Sequence, residues 1–262
     1  MIAWALSRMG EEKGLKVLVR LSEENVEPVR TIANEYLRDP SIPYRLKSKI
    51  NYLRDRFAME KLGVQEVRRK YITAYKITSP IEIDGNDNER FWQIIKKENK
   101  FILISDDKVP SDVQTKVAAG YDEKNIYFLV VCEDPESSSL DYNSRDFITI
   151  SINPFNLYDE WYQFVVHPYG LIKYCYVWKF YSDDEPERLW NSEWKAKTKV
   201  ESGRWIVEIS IPLEDLKVKE ISSDSRWDIN FLRYSERLPV STWTGRIDNP
   251  EQFGIMIFKE QL

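Results

Sequence analysis

Apolar residues recur along this chain with two different periods, and the change falls near residue 72. Before it they return every three or four positions, as in Leu15, Leu18, Val19 and Leu21, then Val29, Ile32, Ala33, Tyr36 and Leu37, then Ile50, Leu53 and Phe57. That spacing lines one apolar stripe along a helix. Breaks at Gly10 and Gly14, at residues 22–25, from Asp39-Pro40 to Pro43 and at Gly63 cut the stretch into separate helices, with Pro28 suited to a first turn. A last short helix is predicted over 64–70. After Tyr75 the period becomes two: Trp205, Val207, Ile209 and Ile211 alternate with Ile206, Glu208 and Ser210, and Lys195, Lys197 and Lys199 alternate with Ala196, Thr198 and Val200. Further strands are predicted over 76–83, 114–121, 126–132, 146–152, 161–167, 171–178, 227–235 and 254–258. Turns are predicted at Asp122-Glu123-Lys124-Asn125, Pro168-Tyr169-Gly170 and Glu201-Ser202-Gly203. Short helical patterns at 88–95 and 213–216 interrupt them. Many strands without long helices between them predict an antiparallel sandwich of two sheets.

Residues 5–33 carry leucines, then an acidic loop, then Pro28-Val29-Arg30 and a small residue, Ala33. This resembles a HEAT-type helical repeat. A single copy is short for a solenoid, which buries a core by stacking several. An ordinary helical bundle is the alternative reading. The predicted fold class is α+β in two parts: a HEAT-like helical segment over 1–72 and an antiparallel β-sandwich over 73–262.

Charge follows the same division. Residues 1–72 hold 15 lysines and arginines against 10 acidic residues, and residues 73–262 hold 23 against 33. The acidic part lacks the basic surplus that a phosphate backbone demands, so no nucleic-acid partner is expected. No apolar run reaches the length of a membrane span. The start, Met1 to Glu12, lacks the basic, apolar and small-residue succession of a secretory signal. Either the protein is cytoplasmic or its original start is missing. Cys132 and Cys175 lack metal-type spacing and leave two free thiols or one disulfide open.

Catalytic groups are sparse. His167 is the sole histidine, at a predicted strand end, and there is no nucleophile elbow or phosphate-binding glycine loop. Acidic runs such as Asp106-Asp107 and Asp183-Asp184-Glu185 read as solvated loops rather than a glycosidase pair. The expectation is a chain that is not an enzyme. Aromatics are the positive signal, because eight of nine tryptophans lie beyond residue 72. Trp243 sits in a polar stretch, Ser241-Thr242-Trp243-Thr244-Gly245-Arg246, where an indole reads as a ligand contact or as loop packing. Trp92, Trp205 and Trp227 read as core.

The order of several motifs carries a resemblance: Ile81-Glu82-Ile83-Asp84-Gly85 with Trp92; residues 121–128 ending in Glu133-Asp134; residues 145–154; and residues 162–166. Residues 203–212, residues 229–233, and Trp243 with Phe253-Gly254 complete it. Residues 75–260 thereby resemble carbohydrate-binding module family 9, a β-sandwich similar to the DOMON superfamily. The resemblance implies non-catalytic binding of an oligosaccharide or polysaccharide, in an accessory module of a larger extracytoplasmic protein. It makes Trp243 one ring of a clamp on the sugar, with Tyr142 or Trp178 as the second. Arg233, Asp146 and Gln163 would bind hydroxyls. Asp84, Asp87 and Asp134 offer hard oxygen ligands for a structural calcium. Haem, which DOMON domains can hold, would need His167, Met256 or a lysine as axial ligand, and is set aside. The rival reading is a protein-interaction or structural module without sugar binding, in which the helical segment meets a partner protein or forms a homodimer.

Overall fold

The computed structural model describes residues 69–155, 160–170, 173–179, 187–188, 192–245 and 250–260, with Leu21, Ser22, Thr31 and Asn34, each of these four helical. The chain divides into two units, Met1–Arg68 with Leu157–Asp159 and Arg69–Asn156 with Glu160–Leu262. Apart from the four positions named and residues 69–72, the HEAT-like segment lies outside the described residues. So do the homodimer and protein-partner expectations that rest on it.

Besides those four helical positions, fourteen strands and one α-helix are present among the described residues. In chain order they are β1 (Tyr71–Lys76), α1 (Arg90–Ile94), β2 (Ile102–Leu103), β3 (Asp106–Pro110), β4 (Thr115–Tyr121) and β5 (Asn125–Glu133). Then come β6 (Phe147–Asn153), β7 (Glu160–Val166), β8 (Lys173–Lys179), β9 (Glu187–Arg188) and β10 (Lys195–Glu201). The last are β11 (Arg204–Pro212), β12 (Arg226–Tyr234), β13 (Ser241–Thr242) and β14 (Gly254–Lys259). Hydrogen bonds run through one continuous ladder in the order β10-β11-β5-β4-β1-β14-β12-β6-β7-β8-β9, with β13, β2 and β3 branching from β12. The ladder folds over on itself. Phe128 of β5 meets Phe231 of β12 edge to face at 6.0 Å, which puts the two halves face to face.

Four expectations are corrected here. The α+β class in two parts is not what the described residues form: they make a β-sandwich, in which the one α-helix, Arg90–Ile94, is five residues long. The strand predicted at 76–83 instead begins at Tyr71, inside the stretch assigned to the helical segment. Ile72 and Ala74 point inward and Pro80 prevents continuation, because proline removes a ladder donor and restricts the residue before it. Nor is the sandwich purely antiparallel, since β1 pairs in parallel with both β14 and β4. β1 is thus the stitch that makes one sheet of two halves. The pattern at 213–216 forms turns rather than a helix.

The predicted turns are present for legible reasons. Asp122 Oδ1 accepts the Lys124 and Asn125 N–H groups at 2.7 Å each, closing the β4–β5 hairpin. Gly170 and Gly203 take positive φ of 64° and 83° at the other two. Strands β5, β11 and β12 are buried on both faces along most of their length, which is why Ile126 to Cys132 reads as an unbroken apolar run.

Candidate functional site

Strand parity sorts the side chains into the inner core and two outer faces. On the outer face of β5 and β11, a satellite core forms from Trp92, Ile95, Ala118, Tyr127, Leu129, Val131 and Ile206. Its polar centre is Glu208, fully buried. Trp92 Nε1 donates to Glu208 Oε1 at 2.8 Å, while the Gly85 and Asp84 N–H groups donate to Oε2 at 2.9 and 3.0 Å. Gly85 is required because its Cβ would meet the Thr198 backbone at 2.9 Å. Burial pushes the Glu208 carboxyl up to about 7, and the nearby Glu89 adds to the rise against the three N–H donors. Oxygens of Asp84, Glu89 and Glu208 lie within 4.8 Å of one another.

The calcium expectation named Asp84, Asp87 and Asp134, and the structure separates them. Asp87 is bound by Arg204 at 2.9 Å, and Asp134 is buried between Arg233 at 3.3 Å and Arg237 at 2.9 Å. Guanidinium groups already neutralise these two carboxylates, so the three do not form one cation site. Of the residues named as haem ligands, Met256 lies in the inner core, whereas His167 lies on an outer face, half-buried, and that burial lowers its pKa.

Arg233 and Asp146 do come together, at the end of the sandwich where β5 and β12 finish and β6 begins. Arg237 Nη2 donates to Asp134 Oδ2 at 2.9 Å and to Asp146 Oδ1 at 3.1 Å, and Ser235 Oγ donates to Asp146 Oδ1 at 2.6 Å. Arg233 also donates to the Glu133 carbonyl. With Asp134, Asp146 and Arg233 each no more than 2% exposed, this network braces the loop end rather than facing solvent. Arg237 ties in the loop at 134–146 through the Glu136 carbonyl and Ser139 Oγ, at 2.8 and 2.9 Å. Tyr142 rides on that loop, 67% exposed, its ring 4.6 Å from Tyr169, whose hydroxyl donates to the Leu140 carbonyl at 2.8 Å.

Trp243 is elsewhere. Its ring is 1% exposed, packs edge to face on Phe231 at 5.8 Å, and lies against Gly254, where a Cβ would meet the indole at 2.3 Å. The reading of Trp243 as an open clamp ring is therefore corrected: of the two alternatives, the indole fills the core. Gly254 is small so that it fits. Trp178 and Gln163 lie on the outer face of β7 and β8. There the Trp178 indole N–H donates to Gln163 Oε1 at 2.9 Å, and the Gln163 amide donates to Ser151 Oγ at 3.2 Å. Trp178 stacks on Trp161 with centroids 5.9 Å apart and planes 7° apart. Sequence reading overlooked Tyr169 and Arg237, which support the loop end through contacts distant in sequence. It also overlooked Glu208, whose place in an alternating strand looked like an ordinary solvent-facing position.

The sequence matches the carbohydrate family 9 binding domain-like family over residues 83–261. The chain belongs to that family. Two solved structures of a carbohydrate binding module family 9 from Caldicellulosiruptor kristjanssonii are similar. The one in complex with glucose is 18% identical, with a TM-score of 0.55, and the match covers 74% of this chain and 97% of that one. The one in complex with cellotriose is 17% identical, with a TM-score of 0.54, covering 74% and 95%. A protein of Bacteroides uniformis is 13% identical, with a TM-score of 0.55, covering 73% and 100%. No curated protein matches in sequence. These likenesses carry the family 9 sandwich alone; the HEAT-like and DOMON-like parts of the resemblance gain nothing from them.

Proposed function

We propose that this family 9 module recognises carbohydrate without catalysis, through the loop end that carries Tyr142. One observation carries the location: Tyr142 is an aromatic ring 67% exposed, held on Tyr169 beside a cross-braced polar network. A supported and exposed ring suits a sugar, whose C–H face is apolar. Family membership supports the ligand class. Chemistry at this end is disfavoured. Glycoside cleavage needs two carboxylates able to reach the scissile bond, whereas Asp134 and Asp146 are buried and share Arg237.

The reading extends to an accessory module of a larger extracytoplasmic protein, on the strength of the family alone. Among the described residues no helix is long and apolar enough to cross a membrane. The test is a tryptophan-fluorescence or calorimetric titration of the whole chain with mono- and oligosaccharides. Saturable binding that Tyr142→Ala removes is the expected result, and binding unchanged in that variant would move the site. Chelator should leave affinity as it was, since arginines engage two of the three acidic residues read as calcium ligands.

A further inference from the structure

Aromatic rings form a row across the outer face of β12, β6, β7 and β8. Tyr234 and Phe147 stack at 4.9 Å with planes 8° apart. Phe147 is 5.6 Å from His167, His167 is 6.3 Å from Tyr174, Tyr174 is 5.1 Å from Tyr176, and Tyr176 is 6.2 Å from Trp178. The register explains the line. Tyr234 pairs with Phe147 across β12 and β6, and Tyr174, Tyr176 and Trp178 occupy alternate positions of β8, so all point away from the core that Cys175 and Val177 enter. All six rings are half-buried rather than enclosed.

The ribbon's first pair of rings is next in sequence to the network at the proposed sugar site, on the opposite face of the strands. Phe147 follows Asp146 and Tyr234 precedes Ser235, both in the network behind Tyr142. Strand geometry gives it roughly 13 Å along β8 and about 14 Å across the four strands, longer than one sugar ring. Its far end is rigid, because Trp161 stacks beneath Trp178 and Gln163 fixes the indole N–H. Tyrosine and tryptophan rings backed by the polar Gln163 and Ser151 match a ligand that alternates C–H faces with hydroxyl edges. We propose that this ribbon is a track for the body of a glycan chain, extending recognition from one sugar at Tyr142 to a run of sugar units over β8.

The proposal rests on the sugar-binding reading, and the two fail differently. The whole chain is titrated with glucose, cellotriose and cellohexaose, and with the xylan- and mannan-derived tri- and hexasaccharides. On the backbone that binds, the hexasaccharide should bind at least tenfold tighter than the trisaccharide. Tyr176→Ala and Trp178→Ala should each erase most of that gain while leaving the trisaccharide constant alone, and Trp178→Phe should restore part of it. Equal affinities for three and six units, or a gain that survives both alanine variants, would overturn the track and leave the Tyr142 site standing. No binding by any sugar would overturn both. A thermal melt within a few degrees of the parent shows that each variant is folded, and a variant that melts early is replaced by its leucine counterpart in the same comparison.

Discussion

The two outer faces of the sandwich are built on the same alternating strands and put to different uses. Over β5 and β11 the face is sealed: Trp92 and its apolar neighbours close over Glu208, and each Glu208 oxygen accepts at least one N–H. Over β12, β6, β7 and β8 six rings stay half-buried beside the buried Trp161, with polar side chains laddered between them. The difference lies in what each residue is fastened to. Aromatics of the first face are anchored by a buried acceptor and serve stability, while those of the second stack on one another in a row that a ligand can follow.

Removing large buried rings should have the greatest effect on stability. Trp92→Ala deletes the fully buried indole and one donor to Glu208, and should cost about 3–5 kcal/mol in urea or guanidinium unfolding. Trp243→Ala should cost a similar amount, about 3–5 kcal/mol, because its ring fills the core between Phe231 and Gly254. A stable, folded Trp243→Ala protein that has lost sugar binding would reverse that assignment.

Next in size is the pH response of the sealed face. Glu208 has its pKa raised by folding, from 4.5 to about 7, so its contribution is fully present below about pH 4.5 and lost as pH rises through 7. Unfolding midpoints should therefore fall between pH 5 and pH 8 by an amount on the order of 2 kcal/mol from this group. Glu208→Gln mimics the protonated form and should flatten that part of the profile. An identical pH dependence in the variant would mean that other groups set it.

The smallest effect on stability is expected at the loop end. Tyr142→Ala, at an exposed ring, should change unfolding free energy by less than about 0.5 kcal/mol while abolishing sugar binding. Trp178→Ala and Tyr176→Ala should fall between, because their rings are only half-buried. A loss of stability for Tyr142→Ala as large as that for Trp92→Ala would erase the contrast between the faces.

Much of this was legible along the chain. Period-two alternation located most of the strands, and Asp122, Gly170 and Gly203 marked their turns by local chemistry that needs no partner. The motif order pointed to the family that residues 83–261 match. Less legible were features made by distant residues. β1 could not be recognised as a strand in parallel register, because its short alternation, Ile72 and Ala74, gains meaning only between β4 and β14. Asp134 and Asp87 looked like free oxygen donors until Arg237, Arg233 and Arg204 were brought against them. Trp243 looked exposed because its neighbours in sequence are polar, yet its neighbours in space are Phe231 and Gly254.

By itself, then, the sequence determined the sandwich, its turns and its family, since local propensity and side-chain alternation are properties of adjacent residues. Tertiary structure decided which tryptophan is core and which lines a face, and which carboxylate meets an arginine and which is buried with N–H donors. Burial and charge pairing depend on contacts between residues tens or hundreds of positions apart, and no short-range pattern encodes them.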